Sequence, residues 1–175
     1  MLFRSEKFNM LKPYIQISEA FRRKQDTLHF IKKAEKDTLA VYKYPEGTLV
    51  DLNEADTTEL KKIPGIGSGI ARMIVAYRKR LGGFYDMAQL KEVNYVDEDM
   101  LRWFKLGNAP IHRINANKAG LDKLRSHPYM NFYQAKVIIE YRRKKGKLKS
   151  LSQLSLYEEF TEKDLERLSH YLAFD

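Results

Sequence analysis

The stretch Leu60-Lys61-Lys62-Ile63-Pro64-Gly65-Ile66-Gly67-Ser68-Gly69-Ile70-Ala71-Arg72-Met73-Ile74 decides how the rest of the chain is read. Pro64 has no backbone donor and disfavours helical geometry at Ile63, so a helix entering this stretch ends there. Gly65 and Gly67 permit a tight turn with unusual backbone angles. Beyond Ser68, the residues Ile70, Ala71, Ile74, Tyr77 and Leu81 recur at helical spacing and predict a second helix that Gly82-Gly83 ends. Upstream, Asp56-Thr57-Thr58-Glu59 reads as a capping box that starts a short first helix. Two helices are thus joined by a tight turn, with Ile66 pointing inward to anchor it.

The pattern returns at an offset of 64 residues. Asn53-Glu54-Ala55 becomes Asn117-Lys118-Ala119, and Pro64, Ala71, Ile74, Tyr77-Arg78, Gly82 and Gln89-Leu90 pair with Pro128, Ala135, Ile138, Tyr141-Arg142, Gly146 and Gln153-Leu154. Capping boxes at Asp86–Gln89 and Ser150–Gln153 open a third helix in each copy, and a fourth starts near Asp97 and Thr161. The expected architecture is all-α, with two tandem four-helix units. Phe3, Phe8, Leu11 and Tyr14 match Phe160, Leu165, Leu168 and Tyr171. Residues 1–15 therefore read as the tail helix of a truncated earlier copy, in a chain that begins inside a longer parent. Residues 16–49 read as a partly structured linker, 50–109 as a repeat with an intact turn, and 110–175 as a repeat with a degenerate one.

A hydrophobic content of 43% supports a packed core, and the net charge of +9 with a pI near 9.5 favours an anionic partner. The chain holds no cysteine, which removes disulfides and thiolate metal sites. No apolar run is long enough to span a bilayer, so no membrane contact is expected within it. His29, His112, His127 and His170 show no metal spacing. With no second constellation of carboxylates, lysine or histidine at motif spacing, no metal, no cofactor and no catalysis are expected.

The chemistry sits in the turn. Glycines let a ligand reach the backbone, and the turn opens into a helix N-terminus whose N–H groups and dipole favour an anion. Pro64, Gly65, Ile66, Gly67, Ser68 and Gly69 are the expected phosphate cradle, with Arg72, Arg78, Lys79 and Arg80 as flanking cations. In the second copy the turn is Pro128-Tyr129-Met130-Asn131. Both glycines are gone, and Tyr129 stands where a phosphate should approach. That copy reads as a structural partner, with Asn131, Lys136, Arg142, Arg143, Lys144 and Lys145 as a secondary set. His127 is expected to be buried against the turn, Tyr77 and Tyr141 to be core, and Trp103 to pack between the copies.

Val50-Asp51-Leu52-Asn53-Glu54-Ala55-Asp56, Leu60, the turn, Tyr77-Arg78, Gly82-Gly83-Phe84 and Gln89-Leu90 together resemble the bacterial competence DNA-receptor type of the helix-hairpin-helix superfamily. The resemblance covers about residues 50–104 well and 114–172 more loosely. It implies binding of double-stranded DNA without sequence choice through Gly65, Ile66, Gly67 and the following helix start. It does not imply that this chain serves uptake, since the module is reused widely, and DNA uptake and DNA repair are the settings to consider. If the chain is competence-like, the parent would be membrane-anchored and face the cell envelope; otherwise it would be cytoplasmic. The rival expectation is a helical protein-interaction scaffold, with a protein partner on the second copy.

Overall fold

The computed structural model describes residues 42–175, which form one unit. The expected tail helix at 1–15 and the linker up to residue 41 lie outside the described residues. The first repeat runs β1 (Val50–Asp51), α1 (Thr57–Leu60), α2 (Ser68–Leu81), a 3₁₀ turn (Met87–Glu92), α3 (Glu98–Leu101) and β2 (Phe104–Lys105). The second runs β3 (Ile114–Asn115), α4 (Leu121–Arg125), α5 (Phe132–Lys145), a 3₁₀ turn (Leu151–Gln153), α6 (Glu162–Ser169) and β4 (Leu172–Ala173).

The fold is mostly helical but not all-α. β1 pairs in parallel with β2, Val50 opposite Phe104, and β3 pairs in parallel with β4, Ile114 opposite Leu172. Each ladder ties the entry of a repeat to its exit. Two-residue strands are too short for a period-two pattern to show in the sequence. The third segments wind as 3₁₀ turns. Their capping boxes at Asp86/Gln89 and Ser150/Gln153 are complete. At Asp56 only half of the box forms: its carboxylate accepts the Thr58 and Glu59 N–H groups at 2.7 Å each, and no return bond from Glu59 is made.

Residues that recur in sequence do the same work in space. The Asn53 amide clasps the backbone of Phe84 in both directions, at 2.9 and 2.8 Å, and Asn117 clasps Leu148 at the same distances. Leu52, Leu60, Ile63, Ile66, Ile74, Leu81 and Leu90 fill the first core; Leu124, Ile138, Leu148, Leu154 and Leu168 fill the second. Tyr141 is core, whereas Tyr77 is only half-buried because its hydroxyl reaches out to Glu92. Trp103 is buried and belongs to the first core cluster, which also takes in Tyr171 of the second repeat. It stands one residue before β2, and the ladder draws it inward.

Candidate nucleic-acid interface

The first hairpin closes with Ile63 N–H donating to Leu60 O at 3.1 Å and Ile66 N–H donating to Ile63 O at 3.2 Å. Both isoleucines are buried, so the loop is pinned from inside. Gly65 sits at φ +83°, where a side chain is strained, and an added Cβ would crowd Met100 Cε at 3.2 Å. Gly67 differs from the expectation. Its φ of −94° and ψ of 178° are extended backbone open to any residue, and a Cβ there would meet nothing within 4 Å. Gly69 likewise has open space above it. Gly67 is the N-cap of α2 and offers no side-chain cap. Among the described residues no protein group accepts the N–H groups of Gly67, Ser68 and Gly69. Exposed donors at the positive end of a helix dipole, bare of side-chain bulk, suit an oxyanion.

A residue that the sequence did not single out sits behind the loop. Lys43 Nζ donates to the carbonyls of Lys61 at 2.6 Å, Ile63 at 3.1 Å and Ile66 at 3.4 Å. The Ile66 carbonyl and the Gly67 N–H belong to one planar trans peptide and point opposite ways. Drawing that carbonyl toward Lys43 turns the Gly67 N–H outward. Tyr44 N–H donates to Lys62 O at 2.8 Å and fixes the strap that carries Lys43.

The flanking cations divide. Arg72 is exposed one turn into α2, with Nε donating to Ser68 O at 3.1 Å, and stands beside the open amides. Arg78 is committed elsewhere: its Nη1 donates to Leu52 O and Ala55 O, both at 2.8 Å. Arg142 does the same with Ala116 O at 3.1 Å and Ala119 O at 2.6 Å. Both guanidiniums hold the entry loop of their repeat onto the long helix. Lys79 and Arg80 are exposed at the far end of α2, about 17 Å along the axis from its start. In the second repeat, Lys136 and Lys144 share Glu140 at 3.8 and 3.5 Å, Arg143 is exposed, and Lys145 lies over the Tyr141 ring at 5.6 Å.

The second hairpin differs at Tyr129 and at its helix cap. Tyr129 N–H donates to His127 Nδ1 at 3.2 Å, and Met130 N–H donates to His127 O at 3.1 Å. Asn131 and Gln134 exchange side-chain-to-backbone bonds at 2.9 Å each. Glu159 and Asp164 line the hollow beside it and repel an anion. Asn131 is therefore a helix cap, and Tyr129 is a docking residue. The Tyr129 hydroxyl donates to Glu92 Oε2 and accepts from Gln89 Nε2, both at 2.8 Å. Gln89 Nε2 also donates to the Tyr171 hydroxyl at 2.8 Å, which in turn donates to Gly83 O at 2.9 Å. Tyr77 donates to the same Glu92 oxygen, and Arg167 approaches its other oxygen at 3.6 Å. Burial pushes the Tyr129 hydroxyl up to about 12, so it stays a donor. His127 is buried as expected; its Nε2 lies 3.0 Å from Leu81 O. The linker adds His112 N–H to Gly82 O at 2.8 Å, and any Cβ on Gly82 would collide with the His112 carbonyl. Among the described residues, no group of three metal-ligating side chains is placed to hold an ion.

Paired helices closed by an inward-anchored hairpin occur twice over. The helix-hairpin-helix motif family matches residues 46–103 and again 110–173, and the chain belongs to that family. The motif points to a nucleic-acid partner. The chain is also similar to the "Endonuclease/exonuclease/phosphatase family domain-containing protein 1" of Mus musculus, 27% identical over 154 residues, covering 69% of this chain and 27% of the relative. The protein of that name from Xenopus laevis is 25% identical over 146 residues, covering 69% and 26%. The chain thus spans about a quarter of the length of these relatives. Both are vertebrate proteins, so the likeness is not confined to the competence type. No solved structure matches the chain.

Proposed function

We propose that residues 50–109 grip double-stranded DNA by its phosphates without reading bases, and that residues 110–175 serve as scaffold and accessory surface. The observation that carries this reading is the pair Gly67 and Gly69. Neither position needs glycine for its backbone angles or its packing, yet both stand bare over open amides. A glycine kept only for the turn would resemble Gly65 instead. Arg72 beside the amides adds a cation. Such a grip would serve wherever a duplex is held regardless of sequence, as in uptake or repair.

Duplex titration at two salt concentrations tests the reading. Two to four phosphate contacts give a slope of log K against log salt of roughly −2 to −4. Gly67→Val fits extended backbone and costs at most about 1 kcal/mol of capping. Gly69→Ala should stabilise α2 by about 0.5–1 kcal/mol. Both variants should stay folded and lose most duplex binding. A duplex that fails to bind at low salt, or that binds both variants as well as the parent, overturns the proposal.

A further inference from the structure

Where the first repeat places Ser68 and Gly69 at the mouth of its hairpin, the second places Phe132 and Tyr133. Both rings are exposed, 45% and 67%, at the start of a helix whose inner face is well packed. They meet edge to face with centroids 5.6 Å apart, so the pair is held as one angled surface. Their exposure is not forced by the hairpin: Met130 anchors it at 4% exposure and Asn131 caps the helix. Down the same face of α5, at helical spacing from Tyr133, follow Lys136, Glu140, Arg143 and Lys144. The single carboxylate is shared by Lys136 and Lys144, so the stripe below the rings is cationic. Aromatic faces beside a cationic track match one chemistry closely: unpaired bases stack on the rings while their phosphates follow the cations. A duplex cannot stack on the rings, because its bases are already stacked, and at this hairpin the Asn131 and Gln134 N–H groups are closed on each other's side chains.

We propose that Phe132, Tyr133 and Lys136 form a stacking platform for single-stranded nucleic acid, so that the chain favours a duplex that carries an unpaired extension. This rests on the proposed duplex grip for the paired part of that ligand, but the platform is tested separately. Fluorescence anisotropy is measured with a labelled thymidine oligonucleotide, a blunt duplex, and the same duplex with a thymidine overhang. The overhang should tighten binding, and the oligonucleotide alone should bind. Phe132→Ala/Tyr133→Ala should lose about tenfold or more of the affinity for oligonucleotide and overhang and leave the blunt duplex unaffected. Tyr133→Trp keeps a stacking face, retains the gain, and its emission should be quenched by bound bases. An unchanged melting temperature excludes a folding defect. Equal affinity for blunt and overhanging duplex, or a gain that survives loss of both rings, overturns the platform. Failure of the blunt duplex alone, with ring-dependent oligonucleotide binding intact, would overturn the duplex grip and not this.

Discussion

Acid should loosen the second hairpin through one side chain. His127 is 2% exposed, with Nε2 3.0 Å from Leu81 O and Nδ1 accepting the Tyr129 N–H at 3.2 Å. These bonds define the neutral ring with its proton on Nε2. A second proton would go on Nδ1, against a backbone N–H, in a buried site with Arg80 and Lys123 nearby. Burial is the main cause that lowers its pKa from 6.5 to about 4. The folded state therefore favours the neutral ring, and the unfolded chain takes up the proton first as pH falls. The contribution is intact above pH 6.5, is lost progressively below it, and is gone near pH 4. At about 1.36 kcal/mol per pH unit, that gap amounts to about 3 kcal/mol. This is a large share of the roughly 5–15 kcal/mol that holds a domain together. Urea unfolding of the parent and of His127→Gln across this range isolates the term, because other titrating groups cancel in the difference. The parent's advantage should shrink by about 1.4 kcal/mol per pH unit below pH 6.5. A difference that stays flat down to pH 4 would refute the assignment of the neutral, doubly bonded ring.

Two further outcomes concern the open hairpin. Lys43→Met keeps length but frees three carbonyls; stability should fall by about 1–3 kcal/mol and duplex affinity several-fold, with the salt slope changed by less than the roughly 0.9 expected of a direct phosphate contact. A full drop in slope in the same titration would place Lys43 on the phosphate itself. Gly67→Asn installs the cap that Asn131 provides in the other repeat, so the melting temperature should rise by an amount equivalent to a few tenths of a kcal/mol while duplex affinity falls. Unimpaired binding in that variant would show that the first-turn amides are not the contact.

The repeat and its hairpin were legible because Pro64 and Gly65 punctuate the chain by steric rules that act locally. The strand ladders were not, since each is two residues long and is held by a partner more than fifty residues away. Lys43 was hidden for a related reason: it lies about twenty residues ahead of the carbonyls it serves, in a segment whose composition reads as linker. Arg78 and Arg142 carry a more general lesson. Both were expected as flanking cations because they are basic and lie on the helix that follows the hairpin. Their exact recurrence at the 64-residue offset, in a copy whose hairpin has lost its glycines, was the available signal that their duty is structural. Charge marked the type of partner but not which charges are free to meet it.

The two hairpins show why duplication of this unit need not double its binding. A hairpin can leave the position after its proline bare, as at Gly65, or use it to dock, as at Tyr129. Gly65 offers no side chain for a lateral contact. Tyr129 at the matching position reaches Gln89 and Glu92 of the first repeat, and that contact requires a side chain no glycine can supply. Beside the dock, Asn131 and Gln134 exchange side-chain-to-backbone bonds and cap the helix that follows it. The residue that stands in place of Gly65 at the second hairpin thus builds the joint between the repeats. On this reasoning the loss is an exchange, in which one repeat gives up its cradle to fix the other in place and leaves Phe132 and Tyr133 at the vacated mouth.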